Sequence, residues 1–182
     1  MSRRIIQRGY YADELEVGDE FVHTPGRTLT EADNVLFTTL TMNPQALHLD
    51  AAYAATQPFG RPLMNSMLTL STVVGLSVGQ VTQGTLVAQL GLGDIRFPHP
   101  VFAGDTLRVT TTVTQKRASS SRPGQWIVTL AHVGRNQDDA VVCEATRTAL
   151  MWEKAAHEAH EAEAAKGVDE AGAQDAADGA GS

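Results

Sequence analysis

A chain of 182 residues, 42% of them hydrophobic, is long enough to bury one core and gives no sign of a second. Residues 153–182 hold eight of the 21 acids and two of the 14 bases, so the net charge of −7 belongs almost wholly to the tail. The near-neutral body lacks the basic stripe that neutralises phosphates, which excludes a nucleic-acid reading. No apolar run is long enough to span a bilayer, and the start MSRRIIQRGYYADELEVGDE turns acidic before a signal-peptide core develops. A cytoplasmic protein without a membrane partner is expected.

In chain order, residues 1–9 read as an N-terminal extension, and a short strand is predicted over 20–24, closed by Pro25-Gly26. Thr28-Leu29-Thr30-Glu31 offers a capping box for a helix whose buried face would carry Ala32, Val35, Leu36, Thr39 and Leu40. That helix should stop near Met42, because Pro44 disfavours a helical Asn43. The next segment, TMNPQALHLD, is predicted as a polar loop. Residues 63–78 are apolar on nearly all sides and predict a helix buried on nearly all sides. Alternating runs at 86–92, 107–113, 126–130 and 142–151 predict long strands separated by turn signals. Antiparallel strands after one buried helix imply an α+β architecture, a sheet curled around that helix. Such a sheet keeps open edges, so a homodimer or an assembly of dimers is expected. The Ala/Glu/Gly-rich tail, 153–182, predicts a solvated helix followed by disorder, and deletion of residues 155–182 should change stability by less than about 1 kcal/mol.

Two blocks carry the chemistry. The first places His48 five residues after Asn43, followed by Leu49-Asp50, Phe59-Gly60-Arg61-Pro62 and Asn65-Ser66-Met67; the second is IRFPHPVFAGDTL, residues 95–107. Together they resemble the MaoC-like (R)-specific enoyl-CoA hydratases, a hot-dog-fold family, over residues 10–152. In that family an Asp, four residues and a His form the catalytic loop; here Asn43 stands in the Asp position and Asn65-Ser66 where His-Gly is usual. The variant looks most like the branch acting on mesaconyl-CoA, 2-methylmalyl-CoA and itaconyl-CoA.

The resemblance implies a hydratase or dehydratase working across C2–C3 of a CoA thioester bound between subunits. Water attacking C3 must lose a proton, C2 must gain one, and the thioester oxygen must be stabilised. His48 would move the protons, since imidazole titrates near neutrality, and Asn43 would hold the water. Backbone N–H groups at Ser66 and Met67, at the start of the buried helix, offer an oxyanion site. Asn65, Arg61 and Arg96 are candidates for substrate or CoA contacts, and Asp50 for support of His48. The structural alternatives are a turn role for Asn43, helix capping for Ser66 and Asp50, and surface ion pairs for the arginines. A thioesterase and a non-catalytic acyl-CoA-binding subunit are the competing functions; no carboxylate within 63–79 counts against the former. Cys143, the single cysteine, reads as a buried inert thiol. His157 and His160 with Glu161 have helical ligand spacing but no rigid third ligand, so no metal and no cofactor are expected.

Overall fold

The alternating segments form β1 (Glu20–Thr28), β2 (Leu86–Arg96), β3 (Thr106–Ala118), β4 (Gln125–Arg135) and β5 (Val141–Trp152), one antiparallel sheet in the order β1-β3-β4-β5-β2. The computed structural model describes residues 5–179, and the side chains of residues 5–166. Between β1 and β2 lie the helices α1 (Glu31–Leu40), α2 (Ala46–Leu49), α3 (Ala51–Ala55) and α4 (Ser66–Val81); α5 (Lys154–Gly179) follows the sheet.

β1 is longer than expected. Pro25-Gly26 does not end it; pairing with β3 shifts register between His23 and Arg27 and resumes to Thr28. A β-bulge accommodates the proline, which cannot donate to a regular ladder. Gly26 is required there, since a Cβ would stand 2.7 Å from the Leu107 carbonyl oxygen.

The capping box also moves. Thr28 ends the strand, and its hydroxyl meets that of Thr106. Thr30 is the N-cap of α1: its side chain accepts from Asp33 N, while Asp33 accepts from Thr30 N. The expected apolar face of α1 is turned outward, with Val35, Leu36 and Leu40 exposed, and the buried positions are Asn34 and Thr38. Periodicity located the helix but assigned the wrong face, because polar side chains dock this helix.

α4 packs against one face of the sheet and buries Thr69, Leu70, Val73, Ser77 and Val81. The sheet covers one face only; Met67, Ser71, Gly75 and Gly79 on other faces are exposed in this chain. The helix approaches β4 closely, since a Cβ on Gly134 would collide with Val73. Two apolar clusters result. One gathers Leu70, Val73, Val109, Cys143 and Ala145, and the other Val81, Val113, Leu130, Ala149 and Met151. Cys143 is fully buried, and burial pushes its thiol up to about 11, as expected of an inert side chain.

Between the clusters the inward residue on three successive strands is polar: Thr111, His132 and Arg147, all buried. His23 Nδ1 meets Gln80 at 2.9 Å, its Nε2 meets the Thr111 hydroxyl at 2.7 Å, and that hydroxyl meets His132 Nδ1 at 2.8 Å. Burial, then the neighbouring Arg147 charge, then His23, pull the pKa of His132 down to about 4. The folded state holds this imidazole neutral while the unfolded chain takes up a proton near pH 6.5. The associated stability is therefore complete above that value and is lost as pH falls toward 4, in total about 3 kcal/mol. Chemical denaturation at pH 7.5 and pH 4.5 should register this loss, and His132→Gln should remove most of it. An unchanged slope in the variant would assign the effect to other groups.

The tail departs from expectation at its start. Tyr11 Oη meets His157 Nδ1 at 3.1 Å, Lys154 N donates to Asp13 Oδ1, and the Trp152 ring stacks on His157 and His160. The first turns of α5 are thus docked, and the backbone stays helical to Gly179, consistent with a composition rich in Ala and Glu. Truncation after Glu153 should cost about 1–3 kcal/mol, measured by urea unfolding, where a free tail would cost almost nothing.

Candidate active site

His48 sits on the one-turn helix α2 rather than in a loop. Its Nδ1 lies 2.8 Å from Leu63 O; a carbonyl only accepts, so Nδ1 carries a proton and Nε2 is the ring nitrogen left for proton exchange. Asn34, one of the buried polar residues of α1, secures this geometry. Its Nδ2 donates to His48 O at 3.1 Å and to Leu63 O at 3.0 Å, and its Oδ1 accepts from Asn65 N at 2.8 Å. One amide therefore ties α1 to α2, to the segment before α4 and to the first residue of the α4 cap.

His48 and Asn34 line a cleft of about 180 Å³ with Glu31, Arg61, Met64, Phe102 and Ala103. Arg61 Cζ lies 3.6 Å from the Phe102 ring centroid, a cation–π contact between two residues of the cleft lining. Arg96 is elsewhere, paired across strands with Glu144, and is not among the lining residues.

The remaining sequence candidates separate. Asn43 Oδ1 accepts from Gln45 N at 3.0 Å, an Asx-turn, and Asn43 is not part of the cleft lining. Asp50 caps α3 by accepting from Tyr53 N. Asn65, not Ser66, is the N-cap of α4: buried, it accepts from Met67 N at 2.9 Å and donates to the Thr38 hydroxyl. Of the two backbone donors expected for an oxyanion, Met67 N is consumed by the cap and Ser66 N remains; the adjacent Asn65 N is taken by Asn34. Ser66 is the first residue of α4 and lines a neighbouring cleft of about 230 Å³ with Leu63, Met64, Thr69, Phe97, His99 and Val142. Met64 lines both clefts and joins the His48 side to the start of α4.

A roomier cleft of about 750 Å³ lies between β1 and the C-terminal half of α4. Of its lining residues, Arg8 is paired with Glu14, and His23 is bonded on both ring nitrogens. Among the described residues no group of three or more His, Cys, Asp or Glu is arranged to hold a metal ion. No helix of the described residues is long and apolar enough to cross a membrane.

Sequence reading missed Asn34 and Glu31. The available signal for Asn34 was an uncharged polar residue inside an otherwise helical run, which alone does not distinguish a docking amide from a solvated one.

A five-stranded antiparallel sheet packed on one long helix defines the hot-dog class of α+β domains. A Mycobacterium tuberculosis protein with a double hot-dog fold superposes with a TM-score of 0.72 at 27% identity, over 80% of this chain and 45% of that one. The MaoC-like domain model matches residues 13–136, and the chain belongs to that family. Beta-methylmalyl-CoA dehydratase of Chloroflexus aurantiacus is 32% identical over 79% of this chain and 40% of its own length. The (R)-specific enoyl-CoA hydratase of Aeromonas caviae is 36% identical over 58% of this chain and 76% of its own. This chain spans only a third to two-fifths of the length of several of its relatives.

Proposed function

We propose that residues 10–152 form a hydratase/dehydratase domain acting across the C2–C3 bond of an acyl-CoA thioester, with a branched or dicarboxylic C4–C5 enoyl-CoA such as mesaconyl-CoA as substrate. The observation that carries this reading is the His48 Nδ1 bond to Leu63 O, which holds the ring at a cleft that Arg61 also lines and leaves Nε2 for proton exchange. The names of the beta-methylmalyl-CoA dehydratase and the enoyl-CoA hydratase relatives support the reaction class.

In hydration, His48 Nε2 exchanges protons with water and substrate as oxygen adds to C3 and hydrogen to C2. The N–H of Ser66, in the first turn of α4 and without a capping partner, is the remaining donor of that turn for the thioester oxygen. Arg61 supplies the cation for a distal carboxylate or a CoA phosphate. Asn43 supports the α2 turn and reaches the reaction only through it. A homodimer fits the exposed Leu90, Leu92 and Ile95 on edge strand β2 and the uncovered side of α4. The reading puts the protein in the cytoplasm, where CoA thioesters are handled.

Incubation with crotonyl-CoA and with mesaconyl-CoA, following both loss of enoyl absorbance and release of free thiol, tests the proposal. Hydration without thiol is expected. Thiol release would favour a thioesterase, and silence in both channels a binding subunit.

A further inference from the structure

Hydration places a proton on C2 and removes one from water, and a single imidazole performing both must accept and release in turn. Relatives of this chain are expected to divide the work between His and Asp, yet Asn43 cannot carry a proton and is turned into an Asx-turn. A carboxylate facing His48 from another element would restore the division.

Three carboxylates lie near in sequence or space. Asp33 is occupied by Thr30 N, the Thr30 hydroxyl and Arg27, and Asp50 by Tyr53 N. Glu31 was read from sequence as half of a capping box, but Asp33 fills that role. Among the described residues Glu31 makes no side-chain hydrogen bond or ion pair, and it lines the same cleft as His48 and Arg61. Its position is fixed by α1. Glu31 and Asn34 are three residues apart, so their Cβ atoms are about 5–6 Å apart on one helix face. Asn34 touches the His48 carbonyl directly.

We infer that Glu31 is the second proton carrier of this site, an inference that rests on the hydratase reading. In the hydration direction the ionised Glu31 carboxylate takes a proton from water as the water oxygen bonds to C3. The C2–C3 π pair moves to C2, which takes the proton from Nε2 of the protonated His48. Glu31 then returns its proton to His48, and the pair is restored with water added and nothing else consumed. The charged and titratable groups facing the cleft are Glu31, His48 and Arg61, and Arg61 does not change charge.

The test uses the full-length protein with crotonyl-CoA, measuring kcat and kcat/KM against pH for wild type, Glu31→Gln and Glu31→Asp. Wild type should give a bell, falling in acid as Glu31 is protonated and in alkali as His48 loses its proton. Glu31→Gln should lower kcat by about 10²–10³-fold with an unchanged melting temperature, and its remaining activity should rise with pH, since neutral His48 must then serve as the base. Glu31→Asp should recover at least a tenth of wild-type kcat with the bell intact. A Gln variant within threefold of wild type, or one whose profile is the wild-type bell merely scaled down, overturns the inference while leaving the hydratase reading in place. A wild type that hydrates no enoyl-CoA overturns both.

Discussion

His48→Asn is expected to reduce acyl-CoA hydration by about 10²–10⁴-fold without lowering stability by more than about 1 kcal/mol. The asparagine amide can occupy the place of the ring Nδ1 and still donate to Leu63 O, so the link between α2 and the segment before α4 survives. What it removes is the Nε2 position, the only atom of this side chain able to exchange a proton with substrate. His48→Ala should be equally inactive and less stable, because Leu63 O then loses one of its two donors, keeping Asn34 Nδ2 alone. Steady-state kinetics on crotonyl-CoA beside urea unfolding separate the two effects. Activity of His48→Asn within tenfold of wild type would remove His48 from the chemistry and, with it, the mechanism proposed here.

Asn34 should prove nearly as costly, for a structural reason. Asn34→Ala leaves His48 O and Asn65 N without their side-chain partner in a buried setting, a loss of about 2–4 kcal/mol, and frees α2 to shift, lowering kcat by about 10- to 100-fold. Asn34→Asp should be worse despite its near-identical shape. It keeps the acceptor for Asn65 N but sets an oxygen against two carbonyl oxygens, and it adds a buried negative charge. The order of stability should be wild type, then Ala, then Asp. An Asp variant as stable as wild type would mean that the amide does not bridge these three segments.

These two residues mark the division between what was legible early and what was not. His48 was legible because its neighbours in sequence form a recognisable block, and Arg61 because it lies in the same block. Asn34 and Glu31 were not, since each acts on a partner at least 14 residues away, or across a cleft, and helical periodicity reports only which residues share a face. The opposite error affected Asn65, Ser66 and Met67. Sequence placed free donors at the start of α4, whereas the fold spends Asn65 N on Asn34 and Met67 N on the Asn65 side chain.

By itself the sequence determined the order of the strands and of α1 and α4, the starts of β3 and β4, the extent of β5, and the block that carries His48, but not the short helices α2 and α3. These follow from local patterns: alternation with period two, apolar runs and turn residues. Tertiary structure alone decided which face of α1 is buried, that β1 continues past Pro25, that the first turns of α5 dock on Tyr11 and Trp152, and that one polar layer separates two apolar clusters. The physical reason is common to all four. Each is a hydrogen-bonding or packing decision between segments distant in the chain, which period and turn residues along one segment do not record.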